Sequence, residues 1–513
     1  MLFWRVKPLD LILKTAEKKA LKRQLGAFQL TMLGIGAIIG TGIFVLTAEA
    51  AQKAGPGMMV SFVIAGFVCA VAALCYAELA AMVPVSGSAY TYSYAVLGEF
   101  VAWLVGWALI LEYAVAASAV SVGWSGYLVG LLKHSVGIEI PAALATGPYA
   151  GGIVNLPAIF IGLLVTALLI RGTKESAVFN AFLVTVKVLA LCAFIALAIP
   201  VMKDTNFHPF APLGNAGIVG AAASIFFAYV GFDAVSTAAE ETNNPQRNIP
   251  IGLIASLVVC TIFYLLVAAG AIGSYGAQPV FAADGSPLSP GSLELAARCK
   301  ELAGDNMPLV CSSEALAHVL RMIGHPMVGN LLGLAAFIAL PSVILMMIYG
   351  QTRIFFTMSR DGLLPPVLSK VHPRFNTPHI VTMMTGLAVM IAAAFLPVGK
   401  LADISNSGTL FAFLVVSLAV MMLRRSDPTR HRPFRTPLVW IIAPMSVIGC
   451  MVLFWYLPRD AKLVFPIWAA IGLFFYFIYG YRKSHMKPGN APVDDGPTLE
   501  AAPVFHEGPE PGP

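Results

Sequence analysis

Runs of about 20 apolar residues recur along this chain, and no other feature constrains its fold as much. Twelve are long enough to cross a bilayer: 28–47, 58–83, 97–131, 154–171, 175–202, 215–240, 249–274, 328–358, 378–397, 402–423, 437–457 and 463–481. Water is absent from hydrocarbon, so such a segment must pair its backbone groups internally, as an α-helix does. Charged residues make up 11% and mean hydropathy is +0.81, against about 25% charge in soluble domains. The expected fold is an all-α polytopic membrane protein with twelve transmembrane helices. The third and eighth runs are long enough to tilt strongly.

Orientation follows from Lys and Arg. With a cytoplasmic N-terminus, the inner segments hold 22 of the 32 basic residues and the outer segments nine. Both termini are therefore expected in the cytoplasm of a multi-pass plasma (inner) membrane protein. No cleavable signal pattern precedes the first run. Residues 1–27 mix Lys7, Lys14, Lys18, Lys19, Lys22 and Arg23 with Leu, Ile and Trp. This reads as an amphipathic helix on the inner leaflet or as a solvated charged arm. The tail, 483–513, is rich in Pro, Gly and acidic residues and reads as disordered. Cys69, Cys75, Cys192, Cys260 and Cys450 fall in apolar runs as small packing residues. Cys299 and Cys311 lie in the long outer loop, 275–327. A disulfide fits that oxidising face, and two free thiols are the alternative.

Two runs break their own regularity. The first contains GAIIGTGIF, Gly36 to Phe44. Glycine gives up the most backbone freedom on ordering, so four small or hydroxylated residues weaken the helix there. The stretch is either a close helix contact or an unwound segment beside a cavity. The sixth run reads SIFFAYVGFDAVSTAAEE, with Gly231 and Asp233 after Phe226, Phe227 and Tyr229. Five spans separate the two breaks. If helices 1–5 and 6–10 are repeats, an odd repeat length inverts them, and both breaks meet at the midplane. The domains are then 28–202, 203–425 and a two-helix addition at 426–482.

Ionisable residues inside spans are expensive and mark function by default. Lys187 stands alone in helix 5, at an insertion cost of about 3 kcal/mol. Burial favours the neutral amine, so Lys187 is a candidate proton site. The bland alternative is a lysine satisfied by backbone carbonyls or by Glu112. Glu112, mid-span in helix 3, is a paired structural carboxylate or a proton-relay member. Glu78, at the end of helix 2, reads as a cap or inter-helix partner. Tyr90, Tyr92 and Tyr94 fit an interfacial belt. Arg353 and Arg360, seven apart, share one face toward the cytoplasm.

YAELAAMVPVSGSAYTYSY, FFAYVGFDAVSTAAEETNNPQRNIP, YGQTRIFFTMSRDGLLP and RPFRTP together closely resemble the cationic amino acid transporter family. That family belongs to the amino acid–polyamine–organocation superfamily, and twelve spans look like its bacterial branch. The resemblance covers roughly residues 22–482. It implies the five-plus-five inverted repeat of the leucine-transporter type plus two extra helices. It also implies an amino acid bound between the two breaks. Its carboxylate would rest on amides of Gly40, Thr41 and Gly42 at a half-helix N-terminus. Its ammonium would meet carbonyls of Ile38, Phe227, Ala228 and Val230. Phe227 and Phe232 would wall the side chain and gate it, and Leu340 would set pocket depth. A bulky residue there favours small neutral substrates over arginine, whereas Asp233 could serve a cationic one. Lys187 matches the helix-5 lysine that replaces sodium in proton-coupled relatives.

The reading is secondary active transport, proton-coupled import of small neutral or cationic L-amino acids by alternating access. Exchange or facilitated transport with a permanently charged Lys187 is the second reading, and a non-transporting receptor the third. The sequence holds no HExxH motif, no GxSxG elbow and no cofactor or metal motif, which argues against an enzyme. The partners this reading admits are an amino acid, protons, the lipid bilayer and a small accessory membrane protein. Nothing suits nucleic acid.

Overall fold

The computed structural model describes residues 5–8, 25–85, 87–172, 177–239, 242–304, 306–375 and 377–487. Most of the N-terminal segment, including Lys14, Lys18, Lys19, Lys22 and Arg23, and the tail beyond 487 lie outside these residues. Among the described residues the chain is helical, with no β-strand beyond isolated bridges. In order the helices are α1 (Ala27–Ile38), α2 (Thr41–Phe44), α3 (Leu46–Ala54), α4 (Met58–Met82), α5 (Ser88–Val96) and α6 (Glu99–Leu131). There follow α7 (Leu156–Arg171), α8 (Ala177–Ala198), α9 (Gly214–Ile225), α10 (Ala234–Thr237) and α11 (Pro245–Tyr275). Then come α12 (Leu293–Glu301), α13 (Ala315–Met322), α14 (Pro326–Arg360), α15 (His379–Phe395), α16 (Val398–Ser426), α17 (Val439–Tyr456) and α18 (Arg459–Phe475).

Among the described residues, eight helical stretches are long and apolar enough to cross a membrane, and four shorter apolar helices accompany them. Two of the shorter four, α1 and the stretch Gly214–Tyr229, end at the breaks expected from sequence. The long α6 packs along α14 and α16, while α1 lies against α8 and α11. The lateral surface is apolar: Phe67, Leu163, Ile262, Met384 and Trp455 are all exposed. That inversion of the soluble pattern costs nothing when the solvent is hydrocarbon. Helices α17 and α18 are the most peripheral, with only 28% and 17% of their apolar windows buried.

Buried charge pins the helix ends. Glu78 closes α4 as the inter-helix partner its position suggested. Its carboxylate takes two 2.7 Å bonds from the Arg424 guanidinium of α16, one of 2.8 Å from the Thr436 amide, and stands 3.2 Å from Arg432. A planar guanidinium matches a carboxylate in this two-pronged way. Arg353 and Arg360 lie over the rings of Tyr349 and Phe356, one turn earlier in α14.

The belt assigned to Tyr90, Tyr92 and Tyr94 is overturned, for all three are fully buried. Helix α5 turns back into the bundle, where the carboxylates of Asp361 and Glu99 satisfy the outer two phenols. Tyr90 donates to Asp361 at 2.7 Å and Tyr94 to Glu99 at 3.2 Å. Residues 5–8 and Ser484 dock on the same two acids. Lys7 pairs with Asp361 at 2.8 Å, and Arg5 lies 3.5 Å from Glu99. Ser484 also bonds Glu99.

The 275–327 segment forms a cap. Cys299 and Cys311 are joined in a disulfide. Of the five cysteines in apolar runs, four are buried and Cys192 is exposed. Gln52 of α3 grips the cap backbone, donating to Val280 and Leu288 carbonyls at 2.8 and 3.0 Å and accepting from the Val280 amide at 2.8 Å. Glu314 sits between the cap and α6, its carboxyl against Gly130. It pairs with Arg321 and lies 3.6 Å from His134. Burial pushes its carboxyl up to about 7, and Arg321 offsets only part of that. Burial pushes His134 and His318 down from the ordinary histidine value.

A carboxyl raised on folding binds its proton more tightly in the native state. Its contribution to stability is complete below the unfolded value near 4.5 and is lost as pH rises through about 7. The two histidines act in the opposite sense. Glu314→Gln cannot ionise, so it should remove a pH-dependent loss on the order of 3 kcal/mol at most. Melting temperatures of variant and parent at pH 5 and pH 8 test this: the parent should fall more across that interval.

Candidate substrate and coupling site

The first break occupies Ile39 and Gly40. Ile39 is extended (φ −72°, ψ 97°) and Gly40 more so (φ −150°, ψ −148°), after which α2 starts afresh at Thr41. The second break follows a tight 3-10 turn, Phe226–Tyr229. Val230 is extended, and Gly231 sits at φ +112°, a region that only glycine enters freely.

The two breaks lie against each other. A Cβ on Gly42 would run into the Ala228 backbone, and one on Gly231 would fall 3.0 Å from the Ala37 carbonyl oxygen. A Cβ on Gly36 would fall 2.6 Å from the Val184 side chain of α8. GAIIGTGIF is thus both things its composition allowed. Gly36 and Gly42 serve close packing, and Gly40 serves the break.

Freed backbone groups find partners from neighbouring helices. Within an unbroken helix the Gly36 carbonyl would receive the Gly40 amide. Here it accepts from the Lys187 ammonium at 2.8 Å, and the same ammonium donates to the Ser342 hydroxyl of α14 at 3.4 Å. Tyr264 of α11 lies between both breaks, its hydroxyl 2.9 Å from the Ile38 carbonyl and 2.8 Å from that of Ala228. One hydroxyl hydrogen serves two acceptors, so one carbonyl at a time is left short of a donor. The Phe227 carbonyl accepts the Val230 amide at 3.2 Å. On the other side, the amides of Thr41 and Gly42 are the first of α2, which have no helical acceptor. The Thr41 hydroxyl is buried beside Gly123 of α6, with no hydrogen-bond partner among the described residues.

The other residues singled out by sequence divide. Leu340 is fully buried in α14, one turn before Val343 on the same face. Val343 is the side chain that reaches Gly40, 3.4 Å from a Cβ placed there. Phe232 packs in an aromatic cluster, its ring 5.0 Å from Phe413 and 6.1 Å from Tyr76. Asp233 accepts from the Tyr113 hydroxyl at 2.8 Å and is buried. Glu112 and Lys187 are not brought together. Glu112 faces α16 at Gly408, and the Ser405 hydroxyl bonds its backbone carbonyl. Neither Glu112 carboxylate oxygen has a hydrogen-bond partner among the described residues.

Sequence reasoning missed Tyr264, Ser342 and Val343. Tyr264 had a signal, a single phenol midway along an otherwise apolar run. Val343 had none, since it is one aliphatic residue among many.

A helical bundle with two opposed breaks, each satisfied by a neighbour's side chain, is the framework of a membrane permease. The comparisons narrow that class. The amino acid permease family matches residues 25–478. The branched-chain amino acid permease BcaP of Bacillus subtilis is 44% identical over 481 residues, 93% of this chain and 97% of its own. The methylthioribose transporter of Bacillus subtilis is 43% identical over 484 residues, 94% of this chain and 98% of its own. Human cationic amino acid transporter 4 is 31% identical over 433 residues, 83% of this chain and 63% of its own. The chain belongs to the amino acid permease family of the amino acid–polyamine–organocation superfamily, and it is a multi-pass membrane protein.

Gly42→Ala places a methyl on backbone that has no flexible end to yield. It should part the breaks and lower uptake at least tenfold, while Gly220→Ala, with open space around it and ordinary helical backbone, should not. Uptake normalised to folded protein, checked by gel filtration, measures this.

Proposed function

We propose that this permease imports a neutral aliphatic L-amino acid, bound across the two breaks, by alternating access coupled to protons. The observation that carries the reading is the shared Tyr264 hydroxyl between the Ile38 and Ala228 carbonyls. A substrate ammonium would supply the donor that one of those carbonyls lacks, with Phe227 and Val230 as further acceptors. The carboxylate would take the amides of Gly40, Thr41 and Gly42, where the half-helix dipole favours an anion. Both charged ends of an amino acid are then held by backbone, and the side chain is left for apolar walls. Phe227, Val343 and Leu340 supply those walls, and Phe232 moves with the second break. The relatives named for branched-chain amino acids favour an aliphatic side chain. The occupation of Asp233 by Tyr113 argues against its serving a cationic substrate. The opposed breaks also support the twelve-span arrangement and its inverted repeat, and the excess of Lys and Arg in the inner segments supports cytoplasmic termini.

Coupling runs through Lys187. Charged, it holds the Gly36 carbonyl and so fixes the inner half of the first helix beside the break. Neutral, it is a weaker donor to that carbonyl, and the helix is freer to move. Glu112, buried near Asp233, belongs to a second acidic locus rather than to the lysine's own contacts. Exchange with a permanently charged Lys187 is the competing mode. Its signature is transport indifferent to a pH gradient.

Purified protein in liposomes, given a panel of amino acids and methylthioribose with and without an inward proton gradient, tests the assignment. Uptake of leucine-like substrates should rise several-fold with the gradient. Lys187→Ala should retain little uptake and show no response to the gradient. A variant that follows the gradient like the parent would exclude Lys187 from coupling. Leu340→Ser should widen the range of accepted side chains toward longer ones, read as uptake of arginine or phenylalanine relative to alanine. An unchanged range would take Leu340 out of the pocket.

A further inference from the structure

We propose that the connection between α16 and α17 binds the headgroup of an anionic phospholipid. This goes beyond transport and holds for any substrate. The connection, 427–438, is unusually basic, with Arg430, His431, Arg432 and Arg435 following Arg424 and Arg425 at the end of α16.

These cations do different jobs. Arg424 and Arg432 are spent on Glu78, which fixes the fold of the connection against α4. Arg430 lies 3.7 Å from Asp427. Arg425 and Arg435 remain exposed, and neither makes an ion pair among the described residues. The positive charges of Arg424 and Arg435 both bear on Arg432, so the cluster is compact. Its geometry is also preset. The Arg425 guanidinium lies over the Trp440 ring, 4.9 Å from its centroid, and Trp440 is itself half exposed. Such stacking holds the plane of the fork while its N–H edge stays open to an anion.

The apolar half of a lipid has a place as well. Leu438, at the start of α17, is 72% exposed and held at φ +40°. From there Ile441, Met445, Ile448, Val452 and Trp455 form an exposed stripe at helical spacing down α17. Basic side chains at the membrane boundary above an apolar stripe match a phosphate with its acyl chain below. A soluble anion would use the arginines and ignore the stripe. Juxtamembrane arginine clusters draw anionic lipids by the same electrostatics.

The experiment is native mass spectrometry of the full-length protein in detergent, delipidated and then offered phosphatidylglycerol, phosphatidylcholine or inorganic phosphate. The parent should retain at least one phosphatidylglycerol more than the Arg425→Gln/Arg435→Gln variant, about a tenfold difference in occupancy. Trp440→Ala should fall between them. Phosphatidylcholine should show no difference, and millimolar phosphate should not displace the bound lipid. Equal retention of phosphatidylglycerol by parent and double variant would overturn the proposal. Displacement by inorganic phosphate would overturn it too, making the site one for a free anion. Because neither substituted arginine carries an internal ion pair, an unchanged melting temperature of the double variant should accompany the lost lipid.

Discussion

A peptide group inside a bilayer must be hydrogen-bonded or it costs several kcal/mol. Everything central in this structure answers that demand at two places where the helix stops supplying the bond. Lys187 fills in for the Gly40 amide at the Gly36 carbonyl, and Tyr264 serves Ile38 and Ala228 at once. Both come from helices outside the broken pair, so the breaks are properties of the bundle and not of either helix.

This arrangement explains why so expensive a residue as a mid-span lysine is tolerated. Its ammonium repays part of its insertion cost by satisfying backbone that would otherwise be orphaned. The same exchange makes the lysine consequential, because any change in its charge is felt at Gly36, one turn before the break at Gly40. A leucine at 187 would be easier to insert and would leave the Gly36 carbonyl unpaired.

Around that centre the bundle is stiffened at its ends by buried charge. Glu78 collects Arg424, Arg432 and the Thr436 amide, and Glu99 and Asp361 gather Arg5, Lys7 and Ser484. Gln52 ties the disulfide-closed cap to α3, the continuation of the first broken helix. A movement of that helix at the break therefore reaches the cap through three hydrogen bonds. The peripheral α17 and α18 take little part in this network and present their apolar faces outward.

Much of this was legible before any coordinates. Long apolar runs dictate helices because only helices close their hydrogen bonds in lipid, and Gly40 and Gly231 announce breaks because glycine yields first. The partnership of Glu78 was readable from its place at a helix end, and Lys187 stood out by its isolation in an apolar run. What the sequence could not say is which neighbours meet across the bundle. It put Tyr90, Tyr92 and Tyr94 at an interface, but α5 folds inward and buries them against Asp361 and Glu99. It weighed Glu112 as a partner for Lys187, but their helices carry them to different contacts. It could not distinguish Val343 from any other valine. Apolar pattern and backbone chemistry are local and can be read along the chain. Proximity between residues 151 or 226 positions apart is a product of packing, and the tertiary structure alone decided it.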